Sequence, residues 1–168
     1  MKNFAVLSLV ISTVFFGSTS GHAIVTTPTP RKLGPAASAA CGAAVYKVLN
    51  SDKTGPFEDN ASNVKTFTPG QSIHFLVDIV AHHTGRANVS VVDLKTQKTI
   101  GTPLFNWPVY ADNNLGPADW VKNETDFTVV LPDLGTHCQQ AGTCAIQWWW
   151  YATSNKQTYQ SCVDFVTP

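Results

Sequence analysis

The chain has 168 residues and carries 11 basic and 11 acidic side chains, so its formal net charge at pH 7 is zero. This balance excludes the basic surplus that indicates binding to nucleic acid or to an anionic membrane, and we expect no partner of either kind. Charged residues make up only 13% of the chain, which also holds five tryptophans. Such a composition weakly favours contact with an uncharged, carbohydrate-like surface.

Residues 1–21 have the pattern of a secretory signal peptide. Lys2 gives a short basic start, an apolar run extends from Phe4 to Phe16, and small or polar residues follow. The run is shorter than the ~20 apolar residues of a membrane span, so the mature protein is expected to be soluble, secreted and extracellular. Cleavage after Gly21 would leave His22 as the first residue, whereas cleavage after Ala23 would remove it, and the sequence rules allow both cuts.

Residues 22–168 are enough for a single domain with a buried core, and we expect a monomer. Apolar alternation and turn residues predict five strands, at Ser72–Val80, Ala87–Leu94, Thr125–Leu131, Cys144–Ala152 and Tyr159–Val166. The proline-rich stretch Thr26–Pro35 is interpreted as extended or looped, and Ala36–Leu49 is compatible with a short helix. Strands at this spacing predict an all-β protein, an immunoglobulin-like or fibronectin III-like β-sandwich.

Four cysteines remain in the mature chain, and an even number in a secreted protein predicts two disulfides. Three pairings are possible. Cys138 and Cys144 are close in sequence and flank a plausible turn, which favours their pairing and leaves Cys41 with Cys162. On the chain-entropy argument, closing the long loop between Cys41 and Cys162 would stabilise the fold by ~4 kcal/mol.

Three N-glycosylation sequons begin at Asn60, Asn88 and Asn123. They agree with secretion, although the three-residue pattern also arises by chance. All three asparagines are candidate modification sites.

The aromatic run 148–151 (WWWY) suggests a carbohydrate platform. On a strand, however, alternate residues face opposite sides, so Trp148 and Trp150 would share the core face of Ile146. We therefore interpret most of this run as packing. Trp107, Tyr110 and Trp120 lie in a segment that reads as a loop, and they are equally plausible contact residues for a carbohydrate.

His22 and His83 are candidate ligands for a single copper ion. An N-terminal histidine offers two nitrogens, its α-amine and a ring nitrogen, and a second histidine adds a third. Nitrogen-rich tetragonal sites suit Cu(II). The α-amine, with a pKa near ~8, must lose its proton to bind the metal, so affinity should fall in acid. His74 and His137 are interpreted as ordinary side chains of the surface or core.

Three segments, in this order, resemble those of lytic polysaccharide monooxygenases: residues 22–28 (HAIVTTP), 81–85 (AHHTG) and 157–162 (QTYQSC). The resemblance implies a β-sandwich whose residues 22–168 form one copper-binding catalytic domain. By position, it assigns copper to His22 and His83, an axial place near the metal to Tyr159, and a hydrogen bond to the oxygen species to Gln157. It also implies the Cys41–Cys162 disulfide. The adjacent His82 is the alternative second ligand, and His83 is preferred because it directly precedes Thr-Gly.

The function implied by this resemblance is copper-dependent oxidative cleavage of a cell-wall polysaccharide: pectin, cellulose or chitin. An external electron donor and either hydrogen peroxide or dioxygen would be the other partners. Two alternatives stay open at this point. One is a non-catalytic copper-binding protein of the same fold, and the other is a carbohydrate-binding sandwich without a metal.

Overall fold

The computed structural model describes residues 23–31 and 63–168 of the chain. The predicted signal peptide, His22, the possible helix at Ala36–Leu49, Cys41 and the sequon at Asn60 lie outside these residues. Across the two described ranges, no helix combines the length and the apolar character that crossing a membrane requires.

In these two ranges, eight β-strands form two sheets. The strands are β1 (Ala23–Thr27), β2 (Lys65–Thr66), β3 (Ser72–Ile79), β4 (Gly85–Asp93), β5 (Lys98–Tyr110), β6 (Asp126–Val130), β7 (Cys144–Ala152) and β8 (Gln157–Val166). One sheet has three strands in the order β1-β3-β6, and the other has five in the order β2-β8-β7-β4-β5. Two single-turn 3-10 helices, at Pro117–Asp119 and Lys122–Glu124, lie between β5 and β6.

The core lies between the two sheets, because each contributes one apolar face. In β3, for example, Ile73, Phe75 and Val77 are buried, whereas the alternate side chains are exposed. The ring of Phe127 in β6 packs across the interface, 4.8 Å from the ring of Trp107 in β5. A large apolar side chain contributes ~1.5–3 kcal/mol when fully buried, so this layer dominates the stability. The predicted immunoglobulin-like β-sandwich is confirmed.

The five-stranded sheet is covered on its outer face as well. A second apolar cluster includes Val92, Ala145 and Cys162. Near it, Arg31 forms a two-pronged ion pair with the buried carboxylate of Asp164, with N–O distances of 2.6 and 2.5 Å. Strand β7 is therefore buried on both sides, which explains why its residues form a continuous apolar run instead of alternating. The interpretation of residues 148–151 as packing is confirmed, because all three tryptophans are at most 6% exposed.

The expectation that Trp107 and Tyr110 lie in a loop is wrong. They belong to β5, the longest of the described strands, at the edge of the five-stranded sheet. Trp107 and Tyr110 are consequently buried in the core at 5% and 0% exposure, and they are not surface contacts. Pro103 and Pro108 are tolerated because one side of an edge strand needs no backbone N–H donor.

Cys138 and Cys144 form a disulfide, as the sequence predicts. Cys162 is also disulfide-bonded. Its predicted partner, Cys41, is outside the part of the chain that the structure describes.

Candidate metal centre

Strand β1 brings the start of the mature chain to one end of the sandwich. It runs antiparallel to β3, with Ala23 opposite Ile79 and Val25 opposite Val77. The backbone N–H of Val25 also donates to the Ser161 hydroxyl in β8, at 3.1 Å, which ties β1 to the second sheet. Ala23 therefore lies, buried, at the level where β3 ends and β8 begins.

The connection between β3 and β4, residues 80–84, carries the two adjacent histidines at this same end. The ring of His83 is half-buried and lies nearly parallel to the ring of Trp150, with centroids 6.3 Å apart. Trp150 in turn stacks on Tyr159 at 4.5 Å, because β7 and β8 pair these two residues directly. His83 and Tyr159 thus pack against the same indole.

Tyr159 and Gln157 are linked by a short hydrogen bond. The Tyr159 hydroxyl donates to Gln157 Oε1, which also accepts from the Asn155 amide at 2.9 Å. Burial raises the pKa of the Tyr159 hydroxyl, so the phenol stays neutral and keeps its proton at physiological pH. Gln157 itself is exposed at the start of β8.

His82 has a different neighbour from His83. Its ring stacks on Trp120 with centroids 3.8 Å apart, and the indole N–H of Trp120 donates to the Leu115 carbonyl at 3.1 Å. Partial burial, followed by the charge of His83, lowers the pKa of His82. The two histidines therefore have different aromatic neighbours. His83 packs on the buried indole of Trp150, and His82 stacks on the half-exposed indole of Trp120.

Gly85 explains why glycine follows the second histidine so closely. A Cβ on this residue would lie 2.1 Å from the Tyr151 carbonyl oxygen and 2.8 Å from the Ala152 Cα. Strands β4 and β7 approach too closely here for any side chain. Glycine is thus required at position 85 by packing, and this fixes where the connection after His83 enters the five-stranded sheet.

The two sequons that the structure describes differ in accessibility. Asn88 lies within β4, where its Oδ1 accepts from the Ser90 hydroxyl, and Ser90 is only 2% exposed. Asn123 is exposed on the second 3-10 helix, and its Oδ1 accepts from the Trp107 indole at 3.3 Å. Asn123 is therefore the more accessible of the two.

Within residues 23–31 and 63–168, no group of three histidine, cysteine or acidic side chains could hold a metal ion. A metal bound beside His83 would thus need donors from outside these ranges. An α-amine and a ring nitrogen, the donors that His22 would offer, are compatible in type with the imidazole of His83 in a copper site.

The fold and these residues define a β-sandwich protein with a histidine- and tyrosine-containing site at one end. Comparison with protein families makes the assignment specific. Residues 21–165 match the family described as lytic polysaccharide mono-oxygenase, cellulose-degrading, and the chain belongs to this family. The family is one of secreted, copper-dependent enzymes that act on polysaccharides.

No curated protein matches the chain. Among solved structures, the chain is similar to a chitin binding domain from Burkholderia pseudomallei, with 15% identity and a TM-score of 0.44. The match covers 62% of this chain and 57% of that one.

Proposed function

We propose that this protein is a secreted copper-dependent polysaccharide monooxygenase that holds one copper ion through His22 and His83. The observation that carries the proposal is the position of Ala23. It pairs with Ile79 at the end of the sandwich where His83 and Tyr159 pack on Trp150. Three segments far apart in the sequence, all singled out for their resemblance to the family, thus converge on one place.

The register supports His22 as a ligand. Ala23, the residue after His22 in the sequence, is buried at the end of β1 and pairs with Ile79, and consecutive Cα atoms are ~3.8 Å apart. His83 follows Ile79 by four residues. The family match also begins at residue 21, next to the cleavage that would expose the His22 α-amine. We propose residues 1–21 as the signal peptide and residues 22–168 as the catalytic domain.

The surroundings of His83 suit a site that confines reactive chemistry. Bound copper would supply the one-electron chemistry by which peroxide or dioxygen oxidises a carbon of the glycosidic bond, after reduction by an external donor. Trp150, fully buried, backs the His83 ring and excludes water from that side. Burial raises the pKa of Tyr159, so its hydroxyl stays protonated and donates a hydrogen bond to Gln157 Oε1. The amide N–H₂ of Gln157 can then donate to a second acceptor.

The loop between β5 and β6 supplies an apolar surface beside the site. Trp120, Leu115 and Val121 are 42%, 38% and 47% exposed, and Trp120 stacks on His82. The Trp120 indole is held in one orientation by stacking on His82 and by the hydrogen bond from its N–H to the Leu115 carbonyl. Such a fixed aromatic ring is suited to packing against the apolar face of a sugar ring. Cellulose is the first substrate to test because the family description names it, and chitin and pectin follow. Asn123 is the most accessible candidate glycosylation site that the structure describes; Asn60 and Asn88 remain predictions.

Native mass spectrometry of the secreted protein, after copper loading and desalting, tests the proposal. The expected mass begins at His22 and includes one copper, which is lost in His83→Ala. His137→Ala is the matched control, because this exposed histidine lies in a pocket beside Ile100 and Val130, away from the site. The copper-loaded protein should then release oxidised oligosaccharides from cellulose, chitin or pectin when given a reductant and peroxide.

Other outcomes would replace the proposal. Retained copper without oxidised sugars would define a non-catalytic copper-binding protein. A chain that begins at Ile24, or that retains no copper, would leave a metal-free carbohydrate-binding sandwich.

A further inference from the structure

Thr84, the residue after His83, joins three parts of the fold. Its hydroxyl donates to Asp112 Oδ1 at 3.0 Å, lies in short hydrogen-bond contact with Asn113 Oδ1, and accepts from the Asn113 backbone N–H at 3.0 Å. Its carbonyl accepts from the Thr153 hydroxyl at 3.0 Å and from the Ser154 N–H at 3.2 Å. The histidine connection is thereby fastened to the loop that follows β5 and to the turn between β7 and β8.

Asp112 is itself held in place as an acceptor. The same Oδ1 also accepts from the Asn114 backbone N–H at 3.0 Å and from the Asn114 amide at 2.8 Å. These bonds, with that from Thr84, hold the pKa of Asp112 below its ordinary value, so the acceptor is a carboxylate. Hydrogen bonds to charged groups contribute more than neutral ones.

Strand pairing does not fix this connection. Residues 80–84 form no strand, and Val80 is 70% exposed. Apolar burial of Val80 therefore contributes little to the conformation of this connection. The ring of His83 contacts Trp150, but a stacked ring can slide or tilt unless the backbone that carries it is fixed.

We propose that Thr84, through its hydrogen bond to Asp112, is a positioning residue that fixes the direction in which His83 presents its ring nitrogen. The inference rests on the proposed function, since His83 is the residue through which Thr84 acts. Groups that orient metal ligands typically change metal affinity by ~10–100-fold when they are removed. Thr84 would do so through the backbone, without contacting the metal.

The test compares Thr84→Val, which keeps the side-chain shape but loses the hydroxyl, with Thr84→Ser, which retains it. Thr128→Val, an exposed threonine of β6, is the control for the same exchange elsewhere. Copper affinity is measured by calorimetry and the copper geometry by electron paramagnetic resonance of the mature, copper-loaded protein. Thr84→Val should bind copper ~10–100-fold more weakly with altered hyperfine splitting, and Thr84→Ser and Thr128→Val should resemble the wild type.

A second variant covers the case in which Thr84→Val does not fold. Asp112→Ala leaves Thr84 intact and removes the carboxylate acceptor while Asn113 Oδ1 remains, and it should shift the splitting and the affinity in the same direction. Unchanged affinity and spectrum in a folded Thr84→Val, or in Asp112→Ala, would overturn the inference while leaving the proposed function intact. Retention of copper by His83→Ala would instead remove the proposed function itself.

Discussion

Gly85→Ala is expected to be the most damaging single-methyl addition among the glycines that the structure describes. The new Cβ would lie 2.1 Å from the Tyr151 carbonyl oxygen, and the backbone would have to yield by about 0.9 Å even to reach 3.0 Å. Neither neighbour is a flexible side-chain end, since the contacts are with the Tyr151 carbonyl and the Ala152 Cα. The strands must therefore separate where β4 begins.

The expected loss of stability is the free-energy cost of separating the two strands. Overpacking against well-ordered structure costs ~1–3 kcal/mol, and loss of the terminal β4–β7 pairing at Gly85 and Ala152 adds ~1 kcal/mol for each hydrogen bond. We expect a loss of about 3 kcal/mol, which lowers Tm by ~6–12 °C for a domain of this size. Copper affinity should fall as well, because the displaced backbone continues directly into Thr84 and His83.

Thermal unfolding of the metal-free protein, followed by circular dichroism, measures the effect. Gly116→Ala is the matched control, because its Cβ would meet nothing within 4 Å, and it should change stability by less than ~0.5 kcal/mol. A Gly85→Ala variant as stable as Gly116→Ala would refute the reasoning, since it would mean that β4 and β7 do not pack at this distance.

Three further predictions concern the ion pairs, a buried carboxyl and metal linkage. Asp164→Asn should cost ~3 kcal/mol by urea denaturation because it breaks the buried pair with Arg31, whereas Asp126→Asn, in an exposed pair, should cost less than ~1 kcal/mol. Burial raises the pKa of Glu124, so its favourable contribution is complete below its ordinary pKa and is lost as pH rises through the raised value. Glu124→Gln should accordingly have a higher Tm than the wild type at pH 7 and a smaller advantage at pH 4; equal differences at both would contradict this. Copper at 100 times its Kd should stabilise the mature protein by ~2.7 kcal/mol, and a thermal shift that persists in His83→Ala would argue against the site.

Local patterns predicted most of the strands. The alternation of Ser72–Val80 matches β3 because only one face of that strand is buried. The segment 144–152 was predicted with the bounds of β7, since a short apolar run between turn residues is typical of a strand buried on both faces. The Cys138–Cys144 disulfide also follows from proximity in sequence.

Strands β1 and β5 were not predicted, for a physical reason common to both. Each lies at the edge of its sheet, where prolines and irregular pairing are tolerated, so neither needs a regular alternating pattern. In β5 the register shifts near Val89 of its partner strand. The sequence pattern around Trp107 and Tyr110 therefore predicted a loop, although both side chains are buried in the core.

The amino-acid pattern alone identified the candidate residues: a histidine after a predicted signal peptide, a second histidine before Thr-Gly, and the tyrosine of the segment 157–162 (QTYQSC). Their arrangement depends on the packing of the two sheets. The tertiary structure turned His82 to Trp120 and His83 to Trp150, and it paired Thr84 with Asp112, a residue that no motif singled out. The reason is that these contacts join segments far apart in the chain, as in the Val25–Ser161 hydrogen bond across 136 residues. Such pairings depend on how two sheets pack, and no local pattern encodes them.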